Sequence, residues 1–142
     1  MIIWLASYPK SGNTYVRAFL SAYYFSEDGQ FDFSQISNIK QFPHERFFKQ
    51  KANNISEASR QWMPIQREIN KDKKIRFFKT HSFLGNYQGN EFTSSETTLG
   101  AVYIVRDPRN VITSIKNHYS FDDDQALKMI TDKTRSLMSN NG

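Results

Sequence analysis

The fold is decided by the stretch Ser7-Tyr8-Pro9-Lys10-Ser11-Gly12-Asn13-Thr14-Tyr15, which directly follows the apolar run Ile2-Ile3-Trp4-Leu5-Ala6. An apolar run, a glycine-containing loop and then a helical pattern predict a strand, a loop and a helix that together cradle an anion. Gly12 lets the backbone pass close to phosphate oxygens, and Lys10 adds a mobile positive charge. Further donors would come from the side chains of three residues, Ser11, Asn13 and Thr14. We therefore predict a P-loop-like phosphate-binding loop close to the N-terminus.

The loop differs from the Walker pattern, in which a lysine directly follows the second glycine. Here Lys10 stands before Gly12, so the magnesium-nucleotide geometry of Walker-type proteins does not transfer. A P-loop kinase-like phosphotransferase remains an alternative function on this evidence. For the loop taken alone, a plain helix cap by Ser11 or Asn13 is also possible.

Two more apolar runs end in polar and titratable residues. Residues 75–82 read Ile-Arg-Phe-Phe-Lys-Thr-His-Ser, and residues 101–110 read Ala-Val-Tyr-Ile-Val-Arg-Asp-Pro-Arg-Asn. The run at 101–105 is typical of a strand buried on both faces. Strands near 2–6, 75–79 and 101–105 predict a three-layer α/β fold with a parallel sheet and helices on both faces. Ligands bind at the carboxyl ends of such strands, so the three segments are expected to meet there.

These segments together resemble the N-terminal motifs of the sulfotransferases that use 3'-phosphoadenosine 5'-phosphosulfate. The matching stretches are Y-P-K-S-G-N-T-Y at 8–15, F-K-T-H at 78–81 and V-R-D-P-R-N-V-I-T-S at 105–114, in the family's order and approximate spacing. The resemblance implies an enzyme that transfers a sulfuryl group to a hydroxyl or amine of a small-molecule or glycan acceptor. The sequence departs from the family at three positions, with Asn13 for Thr, Tyr15 for Trp and Asn110 for Asp.

The resemblance also implies a role for individual residues. His81 would be the catalytic base, while Lys10 and Lys79 would stabilise negative charge during transfer. The sulfuryl donor would be bound by residues of the first and third motifs: Lys10, Ser11, Gly12, Asn13, Thr14, Tyr15, Arg106 and Ser114. Arg109 is equally compatible with binding and with a plain surface position. No metal is expected, because lysine, arginine and backbone N–H groups already supply the neutralisation.

The length of the chain sets a further expectation. Its 142 residues correspond to roughly the first half of a typical family member, and the sequence shows no glycine-rich Arg-Lys-Gly segment near its end. We therefore expect a single domain over 1–142 with an incomplete sulfotransferase fold. The missing strands would leave an apolar sheet edge uncovered, which predicts self-association or a missing C-terminal part. A non-catalytic or partner-dependent fragment that binds only the nucleotide is the corresponding alternative function.

Composition favours a cytoplasmic protein. The chain has no cysteine, and its N-terminal apolar run is too short for a signal sequence or a membrane span. The net charge of +5 suits nucleic acid, an acidic surface or a polyanionic cofactor, and charge alone does not choose among them. Nucleic acid is not expected as a partner, because the aromatic residues follow no pattern for stacking on single strands.

The segment 26–74 carries the weakest signals. Helical spacing is patchy over 34–42 and 56–70, and Pro64 is expected to break or restart the second helix. Three residues here, His44, Arg46 and Trp62, could meet an acceptor, although packing or surface positions are the commoner outcome. Near the end of the chain, a helix is predicted over 125–137, with Asp122, Asp123 and Asp124 as its cap and dipole partners rather than metal ligands.

Overall fold

A computed structural model describes residues 1–132 and contains six strands, four α-helices and two short 3₁₀ helices in this part of the chain. The strands are β1 (Ile2–Ser7), β2 (Lys40–Gln41), β3 (Arg76–Thr80), β4 (Asn86–Tyr87), β5 (Asn90–Glu91) and β6 (Thr98–Ile104). The α-helices are α1 (Asn13–Phe25), α2 (Ile55–Ile69), α3 (Pro108–Tyr119) and α4 (Asp123–Thr131). Two short 3₁₀ helices occupy Phe33–Asn38 and Glu45–Phe47.

The main sheet has four strands in the order β2-β3-β1-β6, and all of its pairings are parallel. The first strand, β1, lies inside the sheet, with Ala6 opposite Thr80 of β3 and Tyr103 of β6. Because parallel strands end at the same edge, the segments that follow β1, β3 and β6 emerge together. This arrangement confirms the predicted α/β fold with a parallel sheet.

Helices cover both faces of the sheet at β1 and β3. Trp4 and Phe78 point to one face and pack in a buried cluster with Trp62 of α2. The alternate residues of a strand point to the opposite face. There the ring of Phe77 contacts Tyr24 of α1, with 5.3 Å between ring centroids. Lys79 and His81 follow Phe77 at two-residue spacing, so they belong to the face that α1 covers.

Helices α3 and α4 form a second, smaller core. Val111 and Ile115 of α3 pack with Ala126 and Met129 of α4. The α4 helix begins with a capping box, in which the Asp122 side chain accepts from the backbone N–H of Gln125. The prediction that these acidic residues cap a helix is therefore confirmed. The helix ends at Thr131, and the predicted extension over 133–137 lies outside the described residues.

The prediction that the strand at 101–105 is buried on both faces is wrong. The strand itself runs from Thr98 to Ile104 and is the outermost of the sheet, with no partner on its far side among residues 1–132. Tyr103 is 70% exposed and Val105 73% exposed. The strand is as apolar as predicted, but no element within residues 1–132 covers its exposed side chains.

Two helix predictions in the middle of the chain also need correction. The segment 34–42 is a 3₁₀ helix over Phe33–Asn38 followed by β2, rather than one helix. The second helix, α2, runs through Pro64 without a break. Pro64 lies on the exposed side of α2, while Trp62 and Ile65 bury the other side, and this burial holds the helix together across the proline. No helix in the described part of the chain is long and apolar enough to cross a membrane.

Candidate sulfuryl-transfer site

The first motif forms a tight loop between the end of β1 and the start of α1. Gly12 is the N-cap of α1, and no side chain of residues 1–132 forms a capping hydrogen bond there. The alternative of a plain cap by Ser11 or Asn13 is therefore not what this loop adopts. Since the first N–H groups of a helix need a partner, this helix start is suited to an anion.

The loop depends on left-handed backbone at two positions. Gly12 has φ +98°, and Lys10 has φ +64°, which is uncommon for a residue with a side chain. A Cβ atom placed on Gly12 would meet no heavy atom of the described residues within 4 Å. The glycine is thus required by its backbone conformation, and the space in front of it is open. Such backbone turns are found where N–H groups line an anion-binding concavity.

Asn13 is buried and faces the sheet instead of the loop. Its side-chain nitrogen donates to the backbone oxygen of Leu5 at 2.8 Å and to Ser7 Oγ at 3.1 Å. The Asn13 side chain was expected to donate to phosphate, but its amide nitrogen is already used in these two hydrogen bonds within the fold. Its amide anchors α1 to β1, and only its backbone N–H remains for an anion. The Oδ1 atom of Asn13 is buried without a partner among the described residues.

His81 follows the last residue of β3 and contacts the end of β1. Its Nδ1 atom lies 2.8 Å from the backbone oxygen of Ser7 and 3.3 Å from Ser7 Oγ. A carbonyl oxygen only accepts, so in the neutral ring this contact assigns the proton to Nδ1. The other ring nitrogen, Nε2, is then an acceptor, which is the state that a general base needs.

The surroundings of His81 favour its neutral form. Burial lowers the pKa of His81 below its ordinary value of 6.5, and the positive charges of Lys79 and Arg17 lower it further. The hydrogen bond to the Ser7 backbone acts in the opposite direction but does not reverse the shift. These effects together favour the neutral imidazole at pH 7.

Lys79 lies two residues before His81 and is partly buried. Burial lowers the pKa of Lys79 below 10.5, and the charges of Arg17 and Lys10 lower it further. Within residues 1–132, none of these three cations forms an ion pair with a carboxylate. Cations that repel each other without a counter-charge favour the binding of an anion.

The third motif contacts the first through Arg106. Its Nη1 atom donates to the backbone oxygen of Lys10 at 3.0 Å. Beside this contact lies a cleft of about 240 Å³, whose lining includes Tyr8, Ser11, Arg106 and Val111. Ser114 is half-buried on α3, one turn beyond Val111 and on the same side of that helix. The structure thus brings Lys10, Ser11 and Arg106 together.

The remaining predicted residues lie at the surface around this site. Thr14 is exposed, and the Tyr15 ring is 78% exposed on the first turn of α1. Arg109 pairs with Asp107, with 2.6 Å between Arg109 Nη2 and Asp107 Oδ2. Asp107 also caps α3 by accepting from the Arg109 backbone N–H. This pairing favours a structural role for Arg109.

The three residues considered for an acceptor in 26–74 have structural roles. Trp62 is 1% exposed in the main core. His44 caps the second 3₁₀ helix by accepting from the Arg46 backbone N–H. The Arg46 guanidinium lies 5.4 Å from the centroid of the Phe47 ring. None of these contacts by itself indicates acceptor binding.

Sequence reasoning missed two residues of the site, Ser7 and Arg17. Ser7 holds the His81 ring, and Arg17 of α1 donates through Nη2 to the backbone oxygens of Ile36 and Ile39 at 3.0 and 2.6 Å. A signal for Arg17 was present, since it is a cation in the otherwise largely apolar stretch Val16-Arg17-Ala18-Phe19-Leu20. Ser7 carried no signal of its own, because its role depends on the pairing of β1 with β3.

The fold and the loop define a class of protein: an α/β protein in which a strand, a loop and the start of a helix form a site suited to binding an anion. A family model described as "Sulfotransferase domain" matches residues 2–140, and the chain belongs to this family. The match confirms the resemblance of the three motifs. A search of curated proteins gives no individual match.

Proposed function

We propose that this chain transfers a sulfuryl group from 3'-phosphoadenosine 5'-phosphosulfate to a hydroxyl or amine of a small-molecule or glycan acceptor. Membership of the sulfotransferase family supports the reaction class. The observation that carries the proposal is the position of His81, whose Nδ1 is held by Ser7 and whose neighbouring cations form no ion pair within residues 1–132. This combination suits a base beside an anionic donor.

The residues of the loop fit the phosphate-rich end of such a donor. Within the described part of the chain, the α1 N-terminus has no side-chain cap and the space before Gly12 is open. In this proposal the backbone N–H groups of the loop, with Lys10, Ser11 and Thr14, bind the 5'-phosphosulfate. The exposed ring of Tyr15 is placed to stack on an adenine.

The 3'-phosphate would be bound by the third motif. The Arg106 guanidinium uses Nη1 for the loop carbonyl and makes no other hydrogen bond to residues 1–132. Its remaining N–H groups offer the geometry that a phosphate accepts. The Ser114 hydroxyl would add a donor from the same side of α3.

The donor would supply a sulfuryl group bonded to its 5'-phosphate oxygen: the acceptor oxygen or nitrogen forms the new bond to sulfur, the bond from sulfur to the phosphate oxygen breaks, and adenosine 3',5'-bisphosphate leaves. The chain's own residues then have two tasks. His81 Nε2 accepts the proton of the acceptor hydroxyl or amine, a contribution of about 10²–10⁴-fold in rate. Lys10 and Lys79 stabilise the negative charge that develops during transfer, by the same electrostatic principle as an oxyanion hole.

A transfer assay tests this proposal. The chain is incubated with ³⁵S-labelled donor and a panel of phenol, sugar and amine acceptors, beside a His81→Gln variant. We expect labelled product with the wild type and a loss of about 10²–10⁴-fold in His81→Gln. Equal product from both chains would contradict the role of His81. Donor binding without any product would favour a chain that only binds the nucleotide.

A further inference from the structure

Arg17 is a cation that none of the three motifs includes, and the inference about it rests on the proposed function. Its position on α1 is one turn after Asn13, the residue that anchors this helix to β1. Helix α1 covers the sheet face to which Lys79 and His81 belong. Arg17 therefore lies on the helix that follows the phosphate loop, over the sheet face of the base, and contacts the chain that follows α1.

The guanidinium of Arg17 binds a specific segment of backbone. One nitrogen, Nη2, donates to Ile36 at 3.0 Å and to Ile39 at 2.6 Å, where the 3₁₀ helix ends and β2 begins. Ile39 is fully buried, so the segment is fixed at this point. The Nε atom of Arg17 is buried and has no partner among the described residues. An uncharged donor would be enough to hold two carbonyl oxygens, and the structure places a cation there instead.

The charge of Arg17 is costly in this position. Burial lowers the pKa of Arg17, and the charge of Arg46 lowers it further. Lys79 of β3 and Lys10 of the loop add positive charge to the same region. No carboxylate pairs with Arg17 among residues 1–132. Arg17 is half-buried, and a cation in such a position without a counter-charge is stabilised when a bound anion supplies the negative charge.

We propose that Arg17 is a positioning residue of the sulfuryl-transfer site, which holds the 36–39 segment against α1 and presents a permanent positive charge beside Lys79 and His81. Arg17 would act in two ways, through its hydrogen bonds and through its charge, and each can be tested separately. The hydrogen bonds order the segment that leads into β2, next to the strand of the base. The charge opposes the protonation of His81 and adds to the attraction for the anionic donor.

The test compares Arg17→Met, which removes the charge, with Arg17→Lys, which keeps it on a side chain with a shorter reach. The first readout is an NMR titration of the His81 imidazole in the chain without ligand, assigned by its loss in His81→Asn. The charges that face this ring are those of Lys79 and Arg17, with Lys10 and Arg46 beyond them. We expect the His81 titration to move to higher pH in Arg17→Met and to stay close to the wild type in Arg17→Lys. Identical titrations in all three chains would overturn the electrostatic role.

The second readout is amide hydrogen exchange over residues 33–41, which reports the hydrogen bonds to Ile36 and Ile39. We expect faster exchange in both variants, and unchanged protection would overturn the positioning role. If Arg17→Met fails to fold, Arg17→Gln takes its place as the uncharged variant that keeps an N–H donor. Neither readout requires the donor, so absence of nucleotide binding, which would contradict the proposed function, leaves this test intact.

Discussion

The Nδ1 atom of His81 lies 2.8 Å from the backbone oxygen of Ser7, so the last residue of β1 fixes the ring that follows β3. Ser7 is also where the phosphate loop begins, and Asn13 at the other end of that loop donates to Ser7 Oγ. The base and the anion loop therefore share one anchor. A shift of β1 against β3 would misplace both at once, which explains why the site depends on the sheet as much as on the motifs.

Stability should depend on pH through His81. Its folded-state pKa lies below the ordinary value of 6.5, so the unfolded chain takes up a proton first as the pH falls. The stabilisation is thus complete above pH 6.5 and is lost progressively below it, until the pH reaches the folded-state pKa. Urea unfolding at pH 7.5 and at pH 5.5 should show the wild type losing more stability than His81→Gln, which lacks this titration. Equal losses in the two chains would contradict the shift.

Replacing Lys79 should lower the affinity for nucleotide without lowering the stability of the fold. Lys79 is partly buried, and its pKa is lowered by burial and then by the charges of Arg17 and Lys10. Lys79→Met removes this repulsion and keeps most of the apolar stem, so we expect a thermal midpoint that is unchanged or higher by a few degrees. The affinity for adenosine 3',5'-bisphosphate should fall, because a cation near the anion is lost. As the matched control, Lys73→Met changes an exposed lysine and should leave both quantities unchanged. A stability loss in Lys79→Met together with full affinity would refute this account.

Gly12→Ala tests the backbone of the loop. Gly12 has φ +98°, while the space for a Cβ atom is open. The substitution should therefore cost about 1–2 kcal/mol of unfolding free energy through backbone strain alone. It should also weaken nucleotide binding if the loop relaxes to relieve the strain. Gly29→Ala, at φ +74° outside the site, is the control for strain without a binding effect. Unchanged unfolding free energy in Gly12→Ala would show that the loop does not need this conformation.

The exposed strand β6 should cause self-association of the isolated chain. Val102 and Tyr103 are exposed on this edge strand, and an apolar strand edge is a template for pairing. We expect sedimentation velocity to show an average mass that rises with protein concentration. Val102→Lys should shift the distribution toward the monomer, because a charge on an edge strand opposes pairing. A single monomer peak for the wild type at all concentrations would contradict this prediction.

The sequence predicted the strands and the loop because their signals are local. An apolar run followed by a glycine loop and a helix needs no knowledge of the rest of the chain, and β1, β3 and α1 lie close to where the pattern placed them. The burial of β6 was predicted wrongly for the same reason. Its composition describes how apolar the strand is, whereas its exposure depends on which elements lie beside it.

The site was predictable in its charges but not in its contacts. Lys10, Lys79 and Arg106 are named by their motifs, yet the roles of Ser7, Asn13 and Arg17 arise only when β1, β3 and α1 pack together. Asn13 illustrates the limit. Its amide is chemically able to bind phosphate, and only the structure shows that this amide is used to hold α1 on β1.

The measurement that tests the central claim most directly is calorimetric titration of the chain with adenosine 3',5'-bisphosphate, with AMP as the control ligand. We expect the bisphosphate to bind more tightly than AMP, and Lys10→Ala to weaken the binding of both ligands. Arg106→Lys keeps the charge but lacks the planar fork, so it should lose most of the preference for the bisphosphate. Equal affinity of the wild type for the two nucleotides, or no binding of either, would contradict the claim that this loop and Arg106 form the donor site.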